Sequence, residues 1–449
     1  LHTAYRRQRQ MCIRDRKLIS SEAQRNLSDY IKDRSSKIKR IGSVNICSIK
    51  ELNDKVERNH WLLAILKELE TLINQGTFEE VIIRKSQLSN YNIVPTLWLL
   101  NKKFDHTNNQ IFKGRLVARG DLQEYEGETY SYTLENQILL SLLAIATKTN
   151  QQITQLDIKS AYVSAEIDQE LYIKPPPFYK RFQQQKVPDD DHMLILRLRK
   201  SLYGLRQSGR QFYYHLRDIL LKIGFTNNDA YPCVYKMDYQ DQRCYLANFV
   251  DDLLLIGPTK FKNFILKKLS DHNLDVKHLM PTTESVDDKT ILKRKIVGVE
   301  LEELYEDNIR KSLKVHQKTY LEKIVNKFLK INDSTKATPP PYYIDASYTE
   351  GADHEQRVKK AQEIIGSLLY LGCHTRPDVI FHIHYISQFQ KQPSDQVFYF
   401  LDRLLRYLNG TKEYGLNYYH STATEIDENR LQIYTDASFA AAADNFKSS

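Results

Sequence analysis

The stretch YLANFVDDLLLIG, residues 245–257, places two adjacent acids, Asp251 and Asp252, between two short apolar runs. Apolar runs of this length on either side of a polar pair predict two β-strands joined by a tight turn. Two neighbouring carboxylates at the tip of an apolar hairpin repel each other and lose hydration unless a cation neutralises them. A divalent metal ion is such a cation. The alternative is that the two aspartates only form a turn, which Asp favours in many proteins.

A second acidic position lies earlier in the chain, in the stretch QLDIKSAYV at 155–163. Residues 153–158 alternate apolar and polar side chains, which predicts a strand that ends near Asp157. If this strand lies beside the hairpin, Asp157 and Asp251 point at one spot and can hold two Mg²⁺ ions about 3.5–4 Å apart. Such a pair of ions suits phosphoryl transfer to a primer 3′-hydroxyl. The alternative is that Asp157 is a strand cap or a surface group.

The remaining pattern predicts an α+β fold with antiparallel strands. Helical spacing runs from Trp61 to Ile73 and ends at Gly76, and strand-like runs on either side of residues 105–109 predict another hairpin. Further predicted helices cover 134–147 and 200–223, and the second of them begins near Ser208 and Gly209. The sequence also predicts a loop at 281–295, a linker from 338 to about 360, a mainly helical segment at 361–410 and a strand at 431–439.

Composition excludes several classes of protein. At about 150 residues per domain, 449 residues predict roughly three domains, or two with insertions. Because no run of residues approaches the ~18 apolar residues of a bilayer-spanning helix, we expect a soluble protein without a membrane partner. The five cysteines are widely scattered and form no C-x-x-C pair, and no secretory signal is visible, which predicts a reducing, intracellular compartment.

The net charge of +9 is concentrated at the start of the chain, where residues 1–40 hold twelve basic and four acidic residues and so contribute +8. The stretch YRRQRQMCIRDRK (5–17) is typical of a solvated, disordered basic arm, and residues 1–50 could also be foreign to the native protein. Since the rest of the chain is almost neutral, a surface that binds a polyanion must be a local basic patch there.

Eight motifs in a fixed order carry a family resemblance. They are FKGRLVARGD (112–121), QLDIKSAYV (155–163), ELYIKPPP (170–177), KSLYGLRQSGRQFY (200–213), FVDD (249–252), IVGVELE (296–302), LGCHTRPDV (371–379) and LRYLNGT (405–411). From about Trp61 to the end, the sequence resembles the reverse transcriptase of copia-type long-terminal-repeat retrotransposons. The resemblance implies a right-hand polymerase that copies RNA or DNA into DNA by two-metal phosphoryl transfer.

The resemblance also implies a division of the chain. After the arm at 1–50, residues 51–335 would form the fingers, palm and thumb, residues 336–425 a linker and helical connection segment, and residues 426–449 an incomplete ribonuclease-H-like segment. In that segment Asp436 of YTDASF resembles a first metal-ligand position. Because one carboxylate cannot assemble a two-metal site, we expect no ribonuclease H activity from this chain.

Site residues follow from the same motifs. Asp157, Asp251 and Asp252 match the catalytic metal ligands, with Mg²⁺ or Mn²⁺ as the cofactor. Arg115 and Arg119 resemble the positions that bind the nucleotide triphosphate, where Arg suits bidentate contacts, although they could be a solvated strand face. Tyr162 lies at a position that excludes a ribose 2′-hydroxyl in the resembling family, unless it is an ordinary core tyrosine. Gln207 is expected to contact the nucleotide. Template or primer is expected to contact Arg206, Ser208, Gly209 and Arg210.

The implied partners are an RNA or DNA template, a primer and deoxynucleoside triphosphates, with a possible homo-oligomer or an association with integrase in a parent polyprotein. The implied location is the cytoplasm, in virus-like particles, with the nucleus as the alternative. Two rival functions stay open at this point. One is a degenerate or domesticated copy that binds nucleic acid without polymerising, and the other is an inactive structural subunit.

Overall fold

The computed structural model describes residues 57–104, 110–329, 334–340 and 351–420. It is a mixed α+β structure with several antiparallel sheets, as the sequence predicts. One compact unit comprises the described residues up to 134 together with 154–255 and 259–279, and a second comprises 135–153, 256–258 and the described residues from 280 onward. Within these ranges no helix has the length and apolar character needed to cross a membrane.

Along the described chain, runs of strands lie between single helices, and four helices follow one another before the last strand. The helices are α1 (Arg58–Asn74), α2 (Asn136–Lys148), α3 (Ser208–Ile223), α4 (Thr259–Asp271), α5 (Lys318–Phe328), α6 (His354–His374), α7 (Ile380–Ser387) and α8 (Asp395–Gly410). The strands are β1 (Phe78–Arg84), β2 (Thr96–Phe104), β3 (Gln110–Ala118), β4 (Gln152–Ile158), β5 (Tyr172–Ile173), β6 (His192–Leu198), β7 (Thr226–Asn227), β8 (Val234–Tyr239), β9 (Gln242–Phe249), β10 (Asp252–Gly257), β11 (Val276–Leu279), β12 (Thr282–Val286), β13 (Lys289–Ile296), β14 (Val299–Glu306), β15 (Ile309–His316) and β16 (Leu416–Tyr419).

The central sheet of the first unit has six strands in the order β11-β4-β10-β9-β8-β7. Helix α3 buries Phe212, Leu216 and Leu220 in the core of this sheet, because residues four apart lie on one helical face. Helix α4 adds Phe261 and Ile265 to the same core. Each such side chain contributes about 1.5–3 kcal/mol when it is fully buried. The sheet that carries the acids is therefore rigidly supported by two helices.

A second core in the first unit lies under the β2–β3 hairpin. The strands pair antiparallel in the register Trp98↔Leu116, which confirms the predicted hairpin, while its turn at 105–109 lies outside the described residues. Leu116 and Ala118 point into the core, so that side chains at odd positions of β3 face the other way. The three-stranded sheet β1-β6-β5 completes this part of the unit.

A close backbone contact joins the end of β3 to the loop before α3. The amide of Ala118 donates a hydrogen bond to the carbonyl of Tyr203 (2.7 Å). Gly204 has φ +92°, and a Cβ atom at this position would collide with the Ala118 carbonyl oxygen. Gly120 faces the same contact, since its Cβ would collide with the Gly204 carbonyl. Only glycine at both positions allows the two segments to approach this closely.

The second unit contains the five-stranded sheet β12-β13-β14-β15-β16 and a helical core built from α5 to α8. The predicted loop at 281–295 is wrong, because β12 and β13 pair there in the register Thr283↔Leu292. The prediction rests on the charged and polar side chains of this stretch, which are also typical of loops. Lys293, for example, forms an ion pair with Glu284 on the neighbouring strand (2.7 Å). These charged side chains therefore lie on paired strands of a sheet and not in a loop.

The other predicted elements have mixed outcomes. The helices at 134–147 and 361–410 and the helix start near Ser208 are confirmed, although α6 begins earlier than predicted, at His354. The basic arm, residues 341–350 of the predicted linker and the strand at 431–439 with Asp436 lie outside the described residues, whereas residues 354–360 of that linker belong to α6. The boundaries at 50, 335 and 425 stay predictions.

A buried charge network fixes β15 to the end of α2 inside the second unit. The Arg310 guanidinium is fully buried, pairs with Glu303 (2.5 Å) and donates to the carbonyls of Ala146 (2.8 Å) and Gln151 (2.9 Å). Breaking such a buried pair by removing one partner typically costs about 3–5 kcal/mol. This sheet is thus anchored by charge as well as by apolar packing.

We expect Gly204→Ala to destabilise the protein by about 2–4 kcal/mol, because a side chain there must adopt a left-handed backbone conformation and collide with the Ala118 carbonyl. Thermal unfolding followed by circular dichroism measures the effect. The control is Gly366→Ala in the interior of α6, where a Cβ would meet no atom and helix propensity should add stability of up to about 1 kcal/mol. Equal melting temperatures for the two variants would contradict the backbone contact.

Candidate active site

The three predicted acids lie at one end of the six-stranded sheet. Strand β4 lies between β11 and β10, and the Ile158 amide donates a hydrogen bond to the Asp251 carbonyl (2.9 Å). Asp157 precedes Ile158, and Asp252 begins β10. The C-terminal end of β4 therefore meets the turn between β9 and β10, as the sequence required for the acids to act together.

The turn that carries Asp251 has a strained backbone. Val250 has φ +58°, a left-handed conformation that costs a residue with a Cβ atom about 1–2 kcal/mol. The partly buried Val250 side chain packs on the core of the sheet, and the two flanking strands fix both ends of the turn. Strain of this kind persists only where the surrounding structure enforces it, and it is common at functional sites.

The acids destabilise one another as long as all are ionised. Burial raises the pKa of Asp157, and the nearby Asp251 carboxylate raises it further. The pKa of Asp252 is raised by burial and then by Asp251 and Asp157, while a hydrogen bond from Gln155 works in the opposite direction. Mutual repulsion of this kind marks the three acids as one electrostatic cluster.

The donor type of the cluster suits a hard divalent cation, because Mg²⁺ prefers carboxylate oxygens. The repulsion among the acids is also what a bound cation would relieve. Over the described ranges, however, no three His, Cys, Asp or Glu side chains converge tightly enough to form a complete metal site. The residues thus fit a divalent ion in their chemistry, while the side chains are not arranged around a single point.

A basic face of β3 lies next to the acids. Arg115 and Lys113 both belong to the odd-numbered face of the strand, because side chains two apart point to the same side. Partial removal from water lowers the pKa of Lys113, and the neighbouring cations Arg115 and Lys103 lower it further, whereas Asp157 raises it. Lys113 was not among the predicted site residues, although its spacing of two from Arg115 was a visible signal.

Two tyrosines connect this basic face to the acids. The Arg115 guanidinium lies over the Tyr203 ring, 4.5 Å from its centroid, and Tyr203 meets Tyr162 edge to face at 5.3 Å. Burial raises the pKa of Tyr203 to about 12, and burial and then Asp251 raise the pKa of Tyr162. Both phenols therefore stay neutral at physiological pH and offer an uncharged surface beside the acidic cluster.

Gln207 is fully buried, and its amide is occupied by protein groups. It accepts a hydrogen bond from the Gln123 amide (2.9 Å) and donates to Asp168 (3.3 Å), which also accepts from the Tyr125 hydroxyl (2.8 Å). Gln123 in turn accepts from the backbone amide of Arg206 (3.0 Å). This network holds the start of α3 in place.

The remaining predicted residues surround the start of α3. The buried Ser208 hydroxyl donates to the Leu202 carbonyl (2.7 Å), and the Gly209 carbonyl accepts from Ser131 (3.1 Å). The exposed Arg206 donates its Nε hydrogen to the Gly120 carbonyl (2.7 Å), whereas Arg210 pairs with Glu128 (2.8 Å).

Arg119 follows the last residue of β3, and its guanidinium donates two hydrogen bonds to Asp121, at 2.9 and 2.8 Å. Of the two predicted triphosphate residues, the structure therefore brings Arg115 to the acidic cluster, while it pairs Arg119 with a neighbouring acid.

Comparison with known proteins identifies the family of the chain. A family model described as reverse transcriptase (RNA-dependent DNA polymerase) matches residues 81–341, more than half of the chain. The truncated transposon Ty1-A Gag-Pol polyprotein of Saccharomyces cerevisiae is 28% identical over 405 residues, which cover 86% of this chain and 31% of that protein. The transposon Ty1-DR1 Gag-Pol polyprotein of the same yeast is also 28% identical over 405 residues, covering 86% of this chain and 21% of that protein.

The chain thus spans about a third of the first relative and about a fifth of the second. These matches confirm the resemblance that the eight ordered motifs indicated.

We expect Asp252→Asn to raise the melting temperature by about 1–3 °C at pH 7, because the amide removes one charge from the repelling cluster. The sign of the pH dependence of this difference in melting temperature follows from the raised pKa of Asp252. The folded protein holds the Asp252 proton more tightly than the unfolded chain does, so acidification stabilises the original protein as the pH falls through that pKa. The difference between variant and original should therefore shrink between pH 7 and pH 4. A difference that grows on acidification would contradict the repulsion.

Proposed function

The chain belongs to the reverse transcriptase (RNA-dependent DNA polymerase) family, and from this premise we propose that it is the RNA-directed DNA polymerase of a copia-type retrotransposon. It would add deoxynucleotides to a primer 3′-hydroxyl on an RNA or DNA template. The observation that carries the proposal is the meeting of Asp157, Asp251 and Asp252 beside Tyr162 and Arg115.

In this proposal Asp157, Asp251 and Asp252 would hold two divalent cations, Mg²⁺ or Mn²⁺. Such bound ions lower the pKa of an attacking hydroxyl and stabilise the charge of the transition state and of the departing pyrophosphate. The protein supplies the rigid end of the sheet, where the backbone hydrogen bond between Ile158 and Asp251 fixes the spacing of the acids. Positioning of this kind is the main protein contribution to phosphoryl transfer.

The basic face of β3 would receive the triphosphate of the incoming nucleotide. Arg115 suits this role because a guanidinium can bind phosphate oxygens with two parallel hydrogen bonds. Lys113 would add a second positive charge on the same face. Arg119, which Asp121 holds, would contribute a more distant charge. Together they form a local basic patch in a body that is otherwise almost neutral.

The nucleotide sugar would lie against Tyr162, which supplies a steric limit at the 2′ position. Tyr162 is held edge-on by Tyr203 and by Phe212, whose ring centroid lies 6.1 Å away. Gln207 would position the start of α3 against the new base pair through its hydrogen bonds with Gln123 and Asp168. Arg206 and Arg210, with Ser208 and Gly209 shaping the backbone, would contact template or primer.

The larger organisation belongs to the same proposal. Fingers and palm would occupy about 60–260, palm and thumb elements would continue to about 335, and a connection segment would follow. The chain would act as part of a Gag-Pol-type polyprotein in cytoplasmic virus-like particles, with self-association or contact with integrase there. Because the duplex would be held through its phosphates, its binding should weaken as the salt concentration rises.

Primer extension tests the proposed activity directly. We expect the chain to extend an oligo(dT) primer on poly(rA) with dTTP and Mg²⁺ or Mn²⁺, and Asp251→Asn to lose at least ~100-fold in rate because a charged metal ligand is removed. The matched control is Asp241→Asn in the turn between β8 and β9 of the same sheet, which should keep full activity.

Two outcomes would contradict the polymerase assignment. The first is a folded original chain that binds primer–template but does not extend it, which would favour a binding-only or structural role. The second is equal activity of the Asp251 and Asp241 variants, which would place the chemistry elsewhere.

Sugar selection gives an independent test. We expect Tyr162→Ala to raise the use of UTP relative to dTTP by roughly 10- to 100-fold, because removing the ring opens space for a 2′-hydroxyl. Tyr162→Phe keeps the ring and should retain the original preference. Competition between UTP and dTTP in primer extension measures the ratio, and an unchanged ratio in the alanine variant would remove Tyr162 from the sugar site.

A further inference from the structure

Glu68 lies in α1, outside the part of the chain that the family model matches. Its carboxylate accepts a hydrogen bond from the backbone amide of Leu116 in β3, and burial raises its pKa. Its Oε1 atom is buried and has no hydrogen-bond partner among the described residues. Because a half-satisfied buried carboxylate is costly, its position calls for an explanation beyond packing.

The position of α1 against β3 is fixed by several contacts. Trp61 packs edge to face on Phe112, with ring centroids 4.7 Å apart, and Glu57 pairs with Lys102 of the same hairpin (2.5 Å). Gly114 brings the β3 backbone close to α1, since a Cβ there would lie 3.5 Å from the Ala64 carbonyl. Glu68 is therefore held at a defined place beside the strand.

That place is the free edge of β3. Amides two residues apart along a strand point to the same edge, and the Ala118 amide at this edge binds the Tyr203 carbonyl. The Leu116 amide, which binds Glu68, thus points to the same side as the Tyr203 loop. Glu68 and Tyr203 are neighbours along one edge, and Arg115 directly precedes the Leu116 anchor point on the strand.

Electrostatic attraction and a ring contact connect Arg115 with Glu68 and Tyr203. The Glu68 carboxylate attracts both Arg115 and Lys113, which otherwise repel each other on one strand face. Tyr203 receives the Arg115 guanidinium on its ring at 4.5 Å. A guanidinium has five N–H donors in a rigid plane, so it can be held by a carboxylate and an aromatic face and still present donors to a phosphate.

We infer that Glu68 and Tyr203 form a clamp that fixes Arg115 for the incoming triphosphate, and that Glu68 is its positioning residue. The inference rests on the proposed function, because it assigns the triphosphate to Arg115. A fixed guanidinium loses less rotamer freedom when it binds phosphate, so less of the binding free energy is spent on ordering the side chain. Helix α1 is then part of the nucleotide site, not only of the fold.

The test is equilibrium binding of dTTP to the full chain bound to poly(rA) and a dideoxy-terminated oligo(dT) primer, with Ca²⁺ in place of Mg²⁺. Glu68→Gln keeps the size of the side chain and removes its charge. We expect a Kd for dTTP that is roughly three- to tenfold higher, which corresponds to ~0.7–1.4 kcal/mol. The matched control is Glu70→Gln on the exposed side of the same helix, which should leave the Kd unchanged.

Coupling to Arg115 separates a clamp from a general loss of stability. In an Arg115→Ala background, Glu68→Gln should have no further effect on the Kd, because the group that it positions is gone. With the original Arg115, Glu68→Gln should raise KM for dTTP in primer extension and change kcat less than twofold. Melting curves of both Glu variants confirm that they are folded.

Three results would overturn the clamp. They are an unchanged or lower Kd for dTTP in Glu68→Gln, an equal effect with and without the Arg115 side chain, and a loss of kcat at constant KM. Failure of the proposed function gives a different pattern, in which the original chain binds dTTP on primer–template but does not extend the primer. The Kd comparison still decides the clamp in that case, because it requires no turnover.

Discussion

One backbone hydrogen bond sets the geometry on which the candidate site depends, from the Ile158 amide to the Asp251 carbonyl at 2.9 Å. It joins the end of β4 to the hairpin turn between β9 and β10 and so fixes the register of the two acidic segments. A slip by one residue would turn Asp157 to the opposite face of the sheet. The apolar core under this sheet enforces the register, and the same core enforces the strained conformation of Val250. Stability elsewhere in the sheet thus offsets the repulsion among the acids.

A second constraint brings the basic face of β3 to this acidic end. Gly120 and Gly204 permit a backbone contact that no other residue would allow, and it places Tyr203 beneath Arg115. The hydrogen-bond network of the buried Gln123 and Gln207 with the exposed Asp168 then holds the start of α3. The acidic cluster and the basic face of β3 are thereby held close together without neutralising each other directly. This arrangement suits a substrate that carries phosphates and cations together.

The predictions that depended on local periodicity agreed with the structure. The hairpins around 105–109 and 251–252 and the start of α3 near Ser208 all follow from alternation or helical spacing. The charged residues at 281–295 predict a loop, whereas the structure has two paired strands there, because ion pairs between strands are invisible to a local pattern. Lys113 was overlooked although its spacing from Arg115 placed both on one strand face.

The sequence by itself determined the family, the α+β fold class and the three acids, since each depends on residue types at short spacings. The tertiary structure alone decided which other side chains join them. Glu68 lies beside the strand that carries Arg115 because α1 packs on β3, and Tyr203 meets Tyr162 because two glycines let distant loops touch. It likewise decided that the Gln207 amide is used inside the protein. Such contacts join residues far apart in the chain, and their formation depends on packing and desolvation that no local pattern encodes.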